Sequence, residues 1–342
     1  MSTADFASKW EKYSFWLIVG AISTFFAEVV TASTPYPFFT ISGLLFTYPF
    51  YTLSVVIFSH IALKKSPVDL PTLYISGQLM GLFEESYVTK MLWSPGWGVE
   101  PKILGISIIP FALLIFLWHP LLSLTLPILI GETTLTGSRE IISSISERII
   151  YLGKRKLFYP LFVLFALFCG INEAVNSPSR IDSLVSVIGS WGVIVLLLGV
   201  SWKHRNKRNL REMMLTKREL FVVFVLFSIL YVTLTTKLYP EGLPPVDGQF
   251  GMWIAYLIFG LLIYLELRTP SYERYVQSFH FPWVSFILFG PLVAVFAYAL
   301  PRSISLVVVA WATGTTIGIF VFLNALAKIV KEFLFRPLRA SH

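Results

Sequence analysis

Apolar residues run through this chain in stretches of about twenty, separated by short clusters of charge, glycine and proline. A helix needs about 20 mostly apolar residues to cross about 30 Å of hydrocarbon. Nine stretches meet that requirement: 14–33, 41–63, 103–130, 157–176, 181–201, 218–238, 250–268, 282–300 and 304–327. A tenth, 71–93, holds Gln78, Glu84, Glu85 and Lys90, but it is long enough, and its neighbours need it in order to reverse direction. A re-entrant segment is its competing assignment. The expected fold is all-α, a polytopic transmembrane helical bundle of about ten spans forming one integral membrane domain over 1–342.

The positions of Lys and Arg orient that bundle, because cytoplasmic loops retain positive charge. With the N-terminus inside, only Lys90, Lys102, Arg180, Lys237 and Arg302 of the 27 basic residues fall outside. Dropping 71–93 would flip every later loop and expose the strongest basic runs, Arg139–Lys156 and Lys203–Arg218. Ten spans with both termini cytoplasmic is therefore the expected topology. The first apolar stretch follows Trp10-Glu11-Lys12-Tyr13 without a small-x-small cleavage site, so it reads as an uncleaved span. A net charge of +8 gathered on one face reads as a topology determinant that also attracts anionic headgroups. A sixteen-residue basic loop offers no folded surface for nucleic acid.

Proline shapes the fourth span, which is long and contains Pro110, Pro120 and Pro127; a kink or break is expected near His119-Pro120. After it, Leu135, Ile141, Ile142, Ile145 and Ile149 recur at helical spacing between polar residues. Residues 134–152 are thus expected to form an amphipathic helix on the cytoplasmic interface or over the inner mouth of the bundle. Gly77/Gly81 and Gly314/Gly318 make small-xxx-small strips suited to close helix approach.

Composition closes off other classes. Of the 342 residues 56% are hydrophobic and 13% charged, about half the charge of an ordinary soluble domain. With 30 Phe, 15 Tyr and 10 Trp the chain is too aromatic to be disordered. A soluble enzyme, a secreted disulfide scaffold and a nucleic-acid-binding domain are excluded. The single cysteine, Cys169, can form neither an internal disulfide nor a thiolate cluster. The expected location is the plasma (cell) membrane, with an oligomer or partner subunit left open.

Four carboxylates stand where an ionisable side chain costs about 2.5–3.5 kcal/mol to insert: Glu28, Glu84, Glu85 and Glu173. In the ten-span topology all four sit in the outer half of the membrane. Gln78 and Thr89 flank Glu85 on the same side of its helix, next to the Gly77/Gly81 strip, so this face must point into protein or water. Two carboxylates close together in low dielectric cannot both ionise easily, so the pair is expected to exchange a proton or bind a cation. The plain alternative is that both are hydrogen-bonded into a helix interface. His60 and His119 lie, by depth, well below the acids and read as interface or kink-satisfying residues; no His pair has metal spacing. No metal ligand set and no cofactor are expected, and no nucleotide-binding glycine loop is present.

Glu84-Glu85-Ser86-Tyr87-Val88-Thr89 resembles the first two residues of the Glu-Glu-x-x-x-Arg motif of the CAAX-type intramembrane metalloproteases. The resemblance covers six residues: Thr89 takes the arginine position, and no Phe-x-x-x-His or His-x-x-x-Asn stands at the matching depth. Three functions therefore compete. The first is a transporter or channel for a small ion or small molecule, its path passing Glu84, Glu85, Glu28 and Glu173. The second is an intramembrane enzyme, metalloprotease-like or lipid-modifying, that uses the Glu84/Glu85 pair. The third is a non-catalytic membrane subunit.

Overall fold

The computed structural model describes residues 7–96, 101–144, 158–202, 208–238, 243–271 and 283–339, with 334–339 as backbone only. Ten helical rods stand at the expected stretches. Helix α1, Lys9–Thr24, opens with a capping box in which Ser8 and Glu11 satisfy each other's free amides, and continues as a π-helical turn, Phe25–Val29. Helix α2, Gly43–Ala62, begins with the π-turn Gly43–Thr47. Helix α3, Leu70–Phe83, starts at Asp69, whose carboxylate accepts the Thr72 amide, and ends in the π-turn Glu84–Val88. The two pieces make one continuous helical rod, Leu70–Val88. Helix α4, Ile108–Leu135, is π-wound over Leu114–Thr125.

The remaining elements are α5, Glu140–Ser144; α6, Phe158–Asn176; α7, Arg180–Ser201; α8, Lys217–Leu238; α9, Val246–Arg268; α10, Trp283–Ala299; and α11, Ile304–Arg339. A small antiparallel pair, β1 (Lys102–Ile103) and β2 (Ile106–Ser107), precedes α4. Its turn residue Gly105 takes φ +72°, and a Cβ there would fall 2.3 Å from the Gly248 nitrogen, so only glycine fits.

Contacts at the two ends show that the rods alternate in direction. At the basic end, Trp16 donates to the Met213 carbonyl at 2.7 Å, and Arg211 donates to the carbonyls of Leu63 and Lys65 at 3.0 and 2.6 Å. At the opposite end, Tyr36 donates to Asp182 at 3.0 Å and Arg302 to the Pro178 carbonyl at 3.0 Å. Among the described residues, seven helices are long and apolar enough to cross a membrane: α2, α4, α6, α7, α8, α9 and α11. The other three rods are shorter or carry more charge. The outward faces of α7, α8, α9 and α11 are apolar, as Leu196, Phe221, Trp253, Leu257 and Phe320 show, and that suits contact with lipid.

Two local expectations are met only in part. The fourth span is distorted around Pro120, as a π-wound stretch, but does not break there. Its π-winding carries the helix past the missing N–H, and the Phe116 carbonyl four residues back accepts the Tyr74 hydroxyl of α3 at 2.7 Å. Of the amphipathic helix 134–152, Leu135 belongs to α4 and only 140–144 is seen as helix, with Ile141 and Ile142 buried against the bundle; residues 145–152 lie outside the described residues.

Candidate functional site

The two small-residue positions of α3 bring α4 onto it. A Cβ on Gly77 would fall 2.5 Å from Pro120 Cα, and the Cβ that Gly81 lacks would sit 2.9 Å from His119 Cβ. One turn beyond, Glu84 and Glu85 face the same helix. His119 Nε2 lies 2.6 Å from Glu85 Oε1, and His119 Nδ1 lies 3.5 Å from Glu84 Oε2. All three side chains are buried: Glu84 and Glu85 are 4% exposed and His119 1%. The first contact is a hydrogen bond; the second is too long to be one. Nδ1 and Glu84 Oε2 accordingly have no hydrogen-bond partner among the described residues.

Two further residues extend the cluster. The Tyr51 hydroxyl of α2 lies 2.8 Å from Glu28 Oε1 and also hydrogen-bonds Glu84 Oε1. A phenol has a single proton, so Tyr51 can donate to one carboxylate only. The other contact is a hydrogen bond only if one of the two carboxyl groups carries a proton. Thr89 donates to the second oxygen of Glu85. Glu28, Glu84, Glu85 and His119 all lie in π-helical stretches, and Tyr51 stands one turn after another. Such wide turns are often found at functional sites, where they turn side chains out of the α-helical register.

Of the residues singled out from the sequence, Glu84, Glu85, Glu28 and Thr89 come together. Gln78 is fully buried one and a half turns back on α3, with neither amide atom hydrogen-bonded among the described residues. Glu173 does not join. It is buried on α6, both its carboxylate oxygens lack a hydrogen-bond partner among the described residues, and its neighbour Asn172 accepts from Trp311.

His119 does not lie below the acids: it stands at the α3–α4 interface, its ring 2.6 Å from Glu85. It is the imidazole of the cluster, and Glu84, Glu85 and His119 are three potential metal-ligating groups in one place, where no ligand set was expected. Side chains lean toward the N-terminus of their own helix. Helices α3 and α4 run in opposite directions, so the two glutamates lean toward the basic end while His119 leans away from it. The π-winding also spends more residues per ångström of α4 than an α-helix would. Tyr51 carried no signal beyond being a tyrosine inside a span, away from the interfaces where tyrosines collect. His60 does have the interface role: it shares a 2.7 Å bond with the Val56 carbonyl through Nδ1, and its Nε2 accepts the Leu215 amide at 2.8 Å.

A second buried group of charges lies at the other end of α3. Lys65 is 3.1 Å from Asp69 and 2.6 Å from Glu266; Lys328 bonds Asp69 and lies 2.8 Å from Glu266. Burial alone would raise the Asp69 carboxyl, but Lys65 and Lys328 outweigh it and hold the group down to about 2.

Among known proteins, one from Archaeoglobus fulgidus, described only as an uncharacterized protein, is 28% identical over 263 residues, 76% of this chain and 79% of that one. No solved structure matches. A family match runs over residues 17–337, from within α1 nearly to the end of α11. The chain thus belongs to that family, described as an uncharacterized membrane protein family, and is an integral, helical, multi-pass membrane protein.

Proposed function

We propose that this protein is a membrane-embedded metalloenzyme, with a divalent transition-metal ion held between Glu84 and His119. In this reading it spans the cell membrane ten times with both termini cytoplasmic, and the basic end meets anionic headgroups while the cluster lies in the outer half. One observation carries the proposal. The unpartnered atoms Glu84 Oε2 and His119 Nδ1 face each other at 3.5 Å. Two ligands about 2.1 Å from one tetrahedral ion stand about 3.4 Å apart.

The surrounding residues support it. Glu85 accepts Nε2–H, which fixes the ring and leaves the Nδ1 lone pair free for a ligand bond; metal-bound histidines are generally oriented by a carboxylate in this way. An imidazole with carboxylate favours zinc, copper, iron or nickel over magnesium or calcium. Tyr51 holds the other oxygen of Glu84 and links it to Glu28, the remaining carboxylate within reach of the centre. Two protein ligands leave positions open for water and substrate, as a catalytic ion requires, and an ion so placed supplies Lewis-acid chemistry or an ionised water.

The test is elemental analysis of protein purified in mild detergent, for the wild type and for Glu84→Gln, Glu85→Gln, Glu28→Gln and His119→Gln. One tightly held transition metal per chain, lost in Glu84→Gln and His119→Gln with folding intact, is the expected result. A metal-free wild type that still binds none when zinc is added sinks the metalloenzyme. A second reading would then lead, a proton- or cation-coupled transporter or channel passing the cluster. It is favoured by α3 having a closed charged group at each end, as an occluded pathway would. Flux in proteoliposomes tests that reading.

A further inference from the structure

Glu84 is buried, but the residue before it on α3 reaches the outer face of the bundle. Phe83, the residue before it, is 38% exposed, unlike the buried glutamates beside it. Its ring lies between two helices: the centroid is 6.2 Å from Tyr231 of α8 and 5.3 Å from Tyr256 of α9. Both tyrosines are tied to the backbone at this point. Tyr231 donates to the Phe83 carbonyl and Tyr256 to the Leu82 carbonyl, each at 2.9 Å. Helix α8 packs on α2 and on the π-turn Glu84–Val88, and α9 packs on α3. Among the described residues, these consecutive helices do not pack along each other. The gap between them is therefore floored by Phe83 and flanked by exposed Val232 on one side and by exposed Trp253 and Leu257 on the other.

We propose that this gap is a lateral portal, with Phe83 as its gate, through which the hydrocarbon chain of a bilayer lipid reaches Glu84. The proposal rests on the cluster being the reactive centre, and it names the substrate class as lipid. A transmembrane peptide would enter as a helix about 10 Å wide, too wide for an opening one aromatic ring across, whereas a single acyl or prenyl chain fits. Three aromatic rings line the passage, and the tyrosine hydroxyls turn their hydrogen bonds onto α3.

Carboxylate labelling from the two phases tests the portal. Metal-stripped protein in liposomes is treated with dicyclohexylcarbodiimide, which dissolves in the bilayer, or with a quaternary-ammonium carbodiimide enclosed on both sides, which does not. Adducts are located by peptide mass spectrometry. The expected result is modification of Glu84 by the lipid-soluble reagent alone, several-fold faster in Phe83→Ala and several-fold slower in Phe83→Trp. Labelling of Glu173, which is remote from the gap, should not change between these variants. If either Phe83 variant fails to fold, Tyr256→Phe, which loses one tie across the gap, is expected to raise the rate instead.

Equal labelling by the water-soluble reagent, a rate indifferent to all these variants, or no Glu84 adduct at all would overturn the portal. The two proposals can fail separately. Gated labelling in a protein that binds no metal leaves the portal standing without the metalloenzyme, and a bound metal with ungated labelling does the reverse.

Discussion

Helix α3 carries a buried charged group at each end, and the two are built on opposite principles. At the basic end two lysines meet two carboxylates, and Ser271 and Thr72 add hydrogen bonds to Asp69. At the other end three carboxylates meet one imidazole and one phenol, with facing atoms left unbonded. A balanced group supplies its own counter-charges and holds helices α3, α9 and α11 together. An unbalanced one in low dielectric needs positive charge from outside, a proton or a metal. The carboxylates Asp69 and Glu266 are as buried as Glu84 and Glu85, although Lys328 is 30% exposed, so burial of an acid alone does not tell structure from function. The number of positive charges and hydrogens available does.

Mutations should separate the two ends, and the largest effect belongs to the basic one. Asp69→Ala leaves Lys65 and Lys328 facing each other beside Glu266 and should cost about 3–5 kcal/mol of stability, with unchanged metal content; thermal unfolding in detergent measures it. An unaltered melting temperature would mean that the basic group holds nothing together. At the cluster the pattern reverses. Glu85→Gln should keep the fold but weaken metal binding by about 10–100-fold, since it removes the partner that orients His119. A chelator-competition titration reads that loss, and undiminished affinity would remove Glu85 from its positioning role.

Acid should affect the basic end only far below neutrality. The Asp69 carboxyl lies at about 2 in the folded protein against an ordinary 3.8, so its stabilising contribution is complete above about pH 4 and is lost as the pH falls through 2. Unfolding followed from pH 7 to 2 should therefore show the Asp69→Ala defect shrinking below pH 4; a defect constant down to pH 2 contradicts the charge pairing. The smallest effect expected is that of His60→Gln, which gives up a buried bond to the Leu215 amide. It should cost about 1–3 kcal/mol and leave metal content untouched, and a loss of metal there would mean that the wrong histidine has been assigned.

The rods could be read from the chain because a membrane span is a local property. Twenty apolar residues in a row mark Ile108–Leu135 whatever packs against it. Glu84 and Glu85 were legible for the same reason, as acids in an apolar stretch, and Thr89 followed from helical spacing. His119 and Tyr51 were not, because their part in the cluster depends on which helices touch and how far each side chain leans. Glu173 has the same local signature as Glu28 and yet stands apart from the cluster, on a helix that presents it elsewhere.

Sequence by itself determined that this is a helical membrane protein, where its helices lie, and that a few acids had to be placed inside it, since hydropathy and the cost of burying charge act residue by residue. Tertiary structure decided which acid meets an imidazole, which meets two lysines, and which meets neither. Apart from Lys65, four residues before Asp69, those partners stand 34 to 259 residues away along the chain, and only packing brings them within hydrogen-bonding distance.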